Sequence, residues 1–291
     1  MKWLISQALI LKSKLGLGFL ATAIITLSLS HSWAHDSPVH HVDSLTREMR
    51  VHGATAERLY RRAIEYRSLG KWSRYEGDLE EALRISPEYV PVRLELAKRR
   101  LSQGALAESR TLIMPLLASS DRQLRAVAFA TRAEVDAAEQ HWAQAVEALD
   151  VALAIRREVE WYLLRAKAQQ QVYATDRLLA GLREGYAETE SPLLLRALCD
   201  QLIEVRLDDP HVDGPRCHRE AMQIIEDELA TSRFRSGWLI RRAKLRLLQD
   251  DPAGVERDLQ AAIAELQTRI GTHQPDPELV KELAEARSLV N

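Results

Sequence analysis

The 291-residue chain is poor in several features that mark common protein classes. It holds two cysteines, Cys199 and Cys217, which excludes a disulfide-dense miniature scaffold and a cysteine-ligated iron–sulfur centre. Aromatic residues make up 5% and glycines number 12. That argues against a β-sandwich and against a nucleotide enzyme built on glycine-rich phosphate loops. Asparagine occurs once, as Asn291, so no Asn-x-Ser/Thr acceptor is present. Neither sign of charge dominates. With 40 Lys plus Arg against 42 Asp plus Glu, the chain lacks the basic surplus with which nucleic-acid binders displace counterions.

Long uncharged runs are also scarce, and the one present lies at the start. Lys2, Lys12 and Lys14 precede LGLGFLATAIITLSLS, residues 15–30, and Ser32-Trp33-Ala34 follows with small residues at its ends. A positive start, an apolar middle and a small-x-small end predict a secretory signal peptide over 1–34. Cleavage after Ala34 would leave 257 residues with 37 basic and 42 acidic side chains, an acidic exported protein of the periplasm. The alternative is retention of the segment as an inner-membrane anchor, since the uncharged stretch is long enough to span a bilayer. No cysteine follows the run, so a lipoprotein is not indicated.

The rest is rich in helical periodicity with a longer repeat laid over it. In residues 56–87, Leu59, Ala63, Tyr66, Gly70, Trp72, Leu79, Ala82 and Pro87 fall at positions 4, 8, 11, 15, 17, 24, 27 and 32. Small residues at 8 and 27 let two antiparallel helices approach. Gly70 can take the left-handed conformation that ends the first helix, and Pro87 marks the end of the second. Further units start near Val90, Ala126, Trp161, Leu193 and Ser236. Pro115 should shorten the second helix of its unit. The fifth unit is interrupted by a polar insert near 208–214, and Glu184 falls in an apolar slot of the fourth. Asp276 and Pro277 open a last amphipathic helix, suited to capping the array.

The pattern resembles the tetratricopeptide repeat (TPR), a 34-residue helix–turn–helix. The resemblance covers roughly residues 55–270. It implies an all-α, right-handed superhelix of about six antiparallel hairpins with a C-terminal capping helix. The domain reading is a signal peptide over 1–34, a polar His-containing leader with a short helix over 35–54, and a TPR-like repeat domain over 55–291. In TPR proteins the first helix of each hairpin lines a concave groove. Carried onto this chain, the groove positions include Tyr60, Arg67, Lys98, Glu134, Tyr162, Arg165, Gln169 and Tyr173. One TPR subtype clamps a partner's terminal carboxylates with Lys and Asn. The body here lacks Asn, and Tyr60 stands where Lys is expected, so that clamp is not expected. The doublets Arg61/Arg62 and Arg241/Arg242 either contact acidic partners or bridge between hairpins.

Cys199 and Cys217 flank the insert of the fifth unit, and in an exported protein they are expected to form a disulfide. A metal site from Cys199, His211, Cys217 and His218 matches no common zinc spacing. A chain starting at His35 would present an α-amine and an imidazole beside His40 and His41, a set able to ligate Cu²⁺ or Zn²⁺. No nucleophile-elbow, zincin, C-x-x-C or P-loop motif is present, so the expectation is a protein that is not an enzyme and needs no cofactor. The function expected is an exported scaffold or adaptor that binds a protein or peptide partner in its groove, for example in envelope assembly. The alternative is a metal-handling accessory protein using His35, His40 and His41. No nucleic-acid partner is expected, and contact with a membrane is expected only if the first segment is retained. The oligomeric state is not readable.

Overall fold

A computed structural model of the chain describes residues 37–271 and 276–290. The signal peptide expected over 1–34, and His35, lie outside them. Among the described residues there are fourteen α-helices, one 3₁₀ turn and no strand. The helix α1 (Pro38–His52) is followed by six antiparallel hairpins. These are α2 (Ala56–Ser68) with α3 (Trp72–Ile85), α4 (Val90–Ser102) with α5 (Leu106–Ile113), and α6 (Arg122–Ala138) with α7 (Trp142–Leu153). Then come α8 (Val159–Val172) with α9 (Thr175–Thr189), α10 (Pro192–Glu204) with α11 (Gly214–Thr231), and α12 (Ser236–Leu248) with α13 (Pro252–Gly271). α14 (Pro277–Ser288) closes the array against α13.

Local chemistry sets most of the boundaries. Thr55, Asp121, Asp213 and Asp276 accept hydrogen bonds from the first free amides of α2, α6, α11 and α14, which satisfies donors that a helix start leaves open. In four hairpins the turn between the two helices contains a left-handed residue. It is Gly70 at φ +67° and Gly104 at φ +76°, but Gln140 at φ +61° and Asp250 at φ +57° in the third and sixth. Pro115 acts as expected: α5 stops at Ile113, and Met114–Ala118 continues as a 3₁₀ turn.

Each hairpin closes through small residues. In the first, Ala63 of α2 and Leu79 and Ala82 of α3 are fully buried. Leu149 and Leu259 are equally buried in the third and sixth. A fully buried leucine contributes about 1.5–3 kcal/mol, so the hairpin seams carry the apolar stabilisation. Hairpins meet their neighbours chiefly through a second helix packing on the following first helix. The first helices α2, α4, α6, α8, α10 and α12 also contact one another in succession. They therefore form the inner, closely spaced layer of a superhelix, and the second helices form the outer one.

The stretch before the hairpins is more structured than its composition suggests. The leader over 35–54 is mostly helix rather than a short one, since α1 runs from Pro38 to His52. It buries Val42 and Leu45 against α2 and is tied there by polar contacts. Arg58 Nε donates to Glu48 at 2.7 Å, and Arg62 Nη1 donates to Thr46 Oγ1 at 3.0 Å.

Candidate functional site

The inner layer presents two different surfaces. Towards its N-terminal end the face of α4 and α6 is largely apolar, with half-buried Leu94, Leu101, Val127 and Ala137. Lys98 is exposed there. Burial pushes the Glu134 carboxyl above the ordinary glutamate range, and only the charge of Lys98 opposes the shift. Tyr60 stands edge-on to Tyr89, with ring centroids 6.0 Å apart, and lines a cleft between α1 and α2. Burial raises its phenol. Arg67 is drawn into a structural contact, donating from Nη1 to Glu95 Oε2 at 2.6 Å, and the Tyr75 hydroxyl donates to the same oxygen at 3.0 Å.

The C-terminal half holds a recess of about 420 Å³ with a mixed lining, polar side chains alternating with apolar ones such as Leu178, Leu182, Ala197 and Ile203. Leu163, Ala166, Lys167 and Gln170 of α8 form one wall, with Asp200, Gln201 and Glu204 of α10 and Lys244 of α12 opposite. Asp200 is held by a two-pronged contact from Arg241, 2.8 and 2.7 Å from Nε and Nη2. Lys244 Nζ lies 2.5 Å from Glu285 of α14.

Three of the residues expected in the groove are not on this surface. Tyr162, Arg165 and Gln169 are 2%, 6% and 4% exposed, packed between α8 and α9. The inner face of α8 carries Leu163, Ala166 and Gln170 instead, a shift of one residue, or about 100° of helix rotation. The cause lies in α9. A Cβ added to Gly185 would fall 2.8 Å from the Tyr162 ring, and one on Gly181 would fall 2.8 Å from Gln169 Oε1. Two glycines four residues apart open a flat strip that admits large side chains from α8. Arg165 lies over the Tyr162 ring at 5.0 Å and donates to Asp150 Oδ1 at 3.0 Å and Glu184 Oε2 at 2.6 Å. Glu184, which looked misplaced in an apolar slot, is the partner of a buried arginine. Tyr173 sits at the end of α8, with the Arg177 guanidinium 3.8 Å from its ring centroid.

The arginine doublets divide between two tasks. Arg62 forks onto Asp78 and Arg242 onto Asp258, each sixteen residues on, joining the two helices of one hairpin. Arg241 reaches back to Asp200 in the preceding hairpin, and Arg61 remains exposed.

The expected disulfide is not formed. Both thiols are unbonded and buried. Cys199 is turned towards the Ala221 carbonyl, with Sγ and oxygen 4.0 Å apart, one helical turn beyond Cys217. Cys217 lines a different depression, between α9 and α11, beside Arg183 and Glu220. Burial pushes Cys199 up to about 12 and raises Cys217 as well. His218 does not join them in a metal site: among the described residues only Asp136, Glu139 and His141 bring ligand atoms together, and the buried His218 ties its Nε2 to the Val205 carbonyl oxygen at 2.9 Å.

The histidines of the leader are placed only in part. His40 is exposed on α1, whereas His41 Nδ1 is hydrogen-bonded to Glu65 Oε1 at 3.1 Å. A second acidic cluster, Asp136, Glu139 and His141, brings potential ligand atoms within 4.8 Å of one another. Arg110 Nη2 already lies between Asp136 Oδ1 at 2.8 Å and Glu139 Oε2 at 2.5 Å, and Arg132 Nε stands 3.3 Å from Asp136 Oδ2. Two guanidinium groups balance this cluster, so it acts as an ion-pair network joining α5 to α6.

The sequence matches no family model, and no curated protein is similar to it by sequence. Similarity appears in three dimensions. A tetratricopeptide repeat protein from Parabacteroides merdae superposes with a TM-score of 0.53 at 16% identity, covering 86% of this chain and 92% of that one. PilF of Pseudomonas aeruginosa superposes with the same score at 12% identity, covering 86% of this chain and 98% of its own. The chain has the tetratricopeptide-repeat fold.

Proposed function

We propose that the chain is a non-catalytic interaction scaffold that holds a segment of a protein partner along the inner face of its first helices. The observation that carries this reading is the division of labour within those helices. One face is fully buried in the hairpin seam, while residues such as Lys167, Gln170 and Gln201 line an open recess. Side chains that stabilise the fold are thereby separated from side chains available to a partner. The absence of sequence motifs for catalysis supports a scaffold over an enzyme. The N-terminal pattern of Lys2, Lys12, Lys14, an uncharged run and Ala34 supports export, with the periplasm as the compartment and envelope assembly as a setting for the partner.

The test is site-specific photo-crosslinking in the native host. A crosslinker replacing Gln170 on α8 or Gln201 on α10 should capture one shared, discrete adduct. The same group at Glu147, exposed on α7, should not. Equal labelling from all three positions, or none from the inner pair, would overturn the reading.

A further inference from the structure

The fourth hairpin carries two candidate seams on one helix. On α8, Trp161, Leu164, Ala168 and Val172 form a stripe at spacings of three and four, and Tyr162, Arg165 and Gln169 form another, one residue on. The two stripes lie about 100° apart. The apolar stripe is the one that a helix ordinarily buries. Here the other one faces α9. Trp161 and Leu164 stay half-buried beside the apolar cluster of α6 and α7, and Val172 is 43% exposed.

The seam that forms is imperfect. Gln169 is buried, yet its Oε1 has no hydrogen-bond partner among the described residues, and neither has Arg165 Nε. Burying polar atoms without partners is costly. The ends of the helices do not fix the rotation either. Neither Glu158, before α8, nor Ala174, before α9, caps its helix with a side chain. The turn between them, unlike those of four other hairpins, holds no left-handed residue. Arg165 bonds Asp150 and Glu184, whose side chains are 45% and 52% exposed, so both carboxylates stay hydrated if the guanidinium leaves the seam. What holds the rotation is the surface of α9. A Cβ on Gly185 would meet two ring carbons of Tyr162 at 2.8 Å and its Cβ at 3.1 Å. None of these is the far end of a flexible chain, so either α8 turns or α9 withdraws.

We infer that α8 has a second rotation and that Gly181 and Gly185 select between the two, which makes them specificity-determining residues of the groove. In the observed rotation α8 offers a partner Leu163, Ala166, Lys167 and Gln170. With a side chain on the α9 strip, the apolar stripe takes over the seam. Tyr162, Arg165 and Gln169 then turn to the inner face, and Leu163 turns towards α7. The specificity half of this inference rests on the groove reading above; the rotation does not.

Hydroxyl-radical footprinting of the full chain, read residue by residue by mass spectrometry, tests the rotation without a ligand. Gly185→Ala should raise oxidation of Tyr162 several-fold and lower that of Leu163, while Tyr75, buried in the first hairpin, stays protected. Adding Tyr162→Ala removes the ring and should return Leu163 to its parent level. Tyr162 still protected in a folded Gly185→Ala chain would show that α9 withdraws instead, and would overturn the inference. So would exposure of Tyr162 and Tyr75 together, which means unfolding, or a rise at Tyr162 with Leu163 unchanged, which means fraying. The groove reading is tested separately, with the photo-crosslinker at Gln170. Its adduct should be lost when Gly185→Ala is introduced. An adduct that persists after the footprint has moved would overturn the specificity claim. No adduct from the parent chain would overturn the groove reading and the specificity claim with it, and the rotation would stand on the footprint alone.

Discussion

At the scale of single residues, the strongest constraints sit where a large side chain meets a bare backbone. Gly185 and Tyr162 are such a pair, and the strip they form decides which face of α8 turns inward. Gly185→Ala should cost about 1–3 kcal/mol, the range of an overpacked core, measured as a lowered denaturant midpoint at unchanged slope. A neutral substitution would show that α9 can withdraw without loss. Glu134 gives a second test, through pH. Burial raises its carboxyl, so the folded protein favours the neutral form. The stability this contributes is present at low pH and is lost as pH rises through the raised value, beyond the ordinary figure of about 4.3. Glu134→Gln should therefore gain stability over the parent chain as pH increases, with little difference near pH 4. Melting temperatures of both proteins across that range decide it; an advantage that grows towards acid would refute the burial argument.

At the scale of elements, the hairpin is what the sequence makes legible. Periodic apolar residues, Gly70, Pro115 and the Asp276–Pro277 start each act locally, and local chemistry can be read along the chain. Rotation of a helix within its hairpin is different, because it depends on the facing element. The groove positions on α8 follow from counting the repeat unit that starts at Trp161, whereas α9 draws Tyr162, Arg165 and Gln169 into the hairpin. The glycine pair at 181 and 185 was the signal that could have revealed it. The cysteines teach the same lesson. Spacing placed Cys199 and Cys217 on facing helices, yet facing helices still offer several neighbours per side chain, and each thiol faces a different one. The non-reduced, unfolded protein should titrate with two free thiols, while the native protein reacts slowly at neutral pH because burial suppresses both thiolates. A single disulfide found by mass spectrometry would reverse that pairing.

At the scale of the whole molecule, the buried apolar residues do not form one continuous core. One cluster runs from Val42 to Leu96 over α1–α4, another from Ala133 to Ala168 over α6–α8, and a third from Leu153 to Ala286 over the remainder. The last two are bridged by Trp161, which packs against both. Between the first two lies α5, at 8 residues the shortest α-helix described, followed by the 3₁₀ turn that Pro115 imposes. Ile113 and Leu116 are buried there, but much of the link from α5 to α6 is ionic, through Arg110 to Asp136 and Glu139. In a repeat array each unit is stabilised mainly by its immediate neighbours, so a short helix between clusters becomes the place where cooperativity is weakest. Native-state hydrogen exchange should show α5 and residues 114–118 opening at lower free energy than α3 or α7. Limited proteolysis should cut first between Met114 and Asp121, leaving a C-terminal fragment that keeps its helicity. Uniform protection across α3 to α7, with loss of all helices in one step, would instead show that the ionic link binds the two halves into a single folding unit.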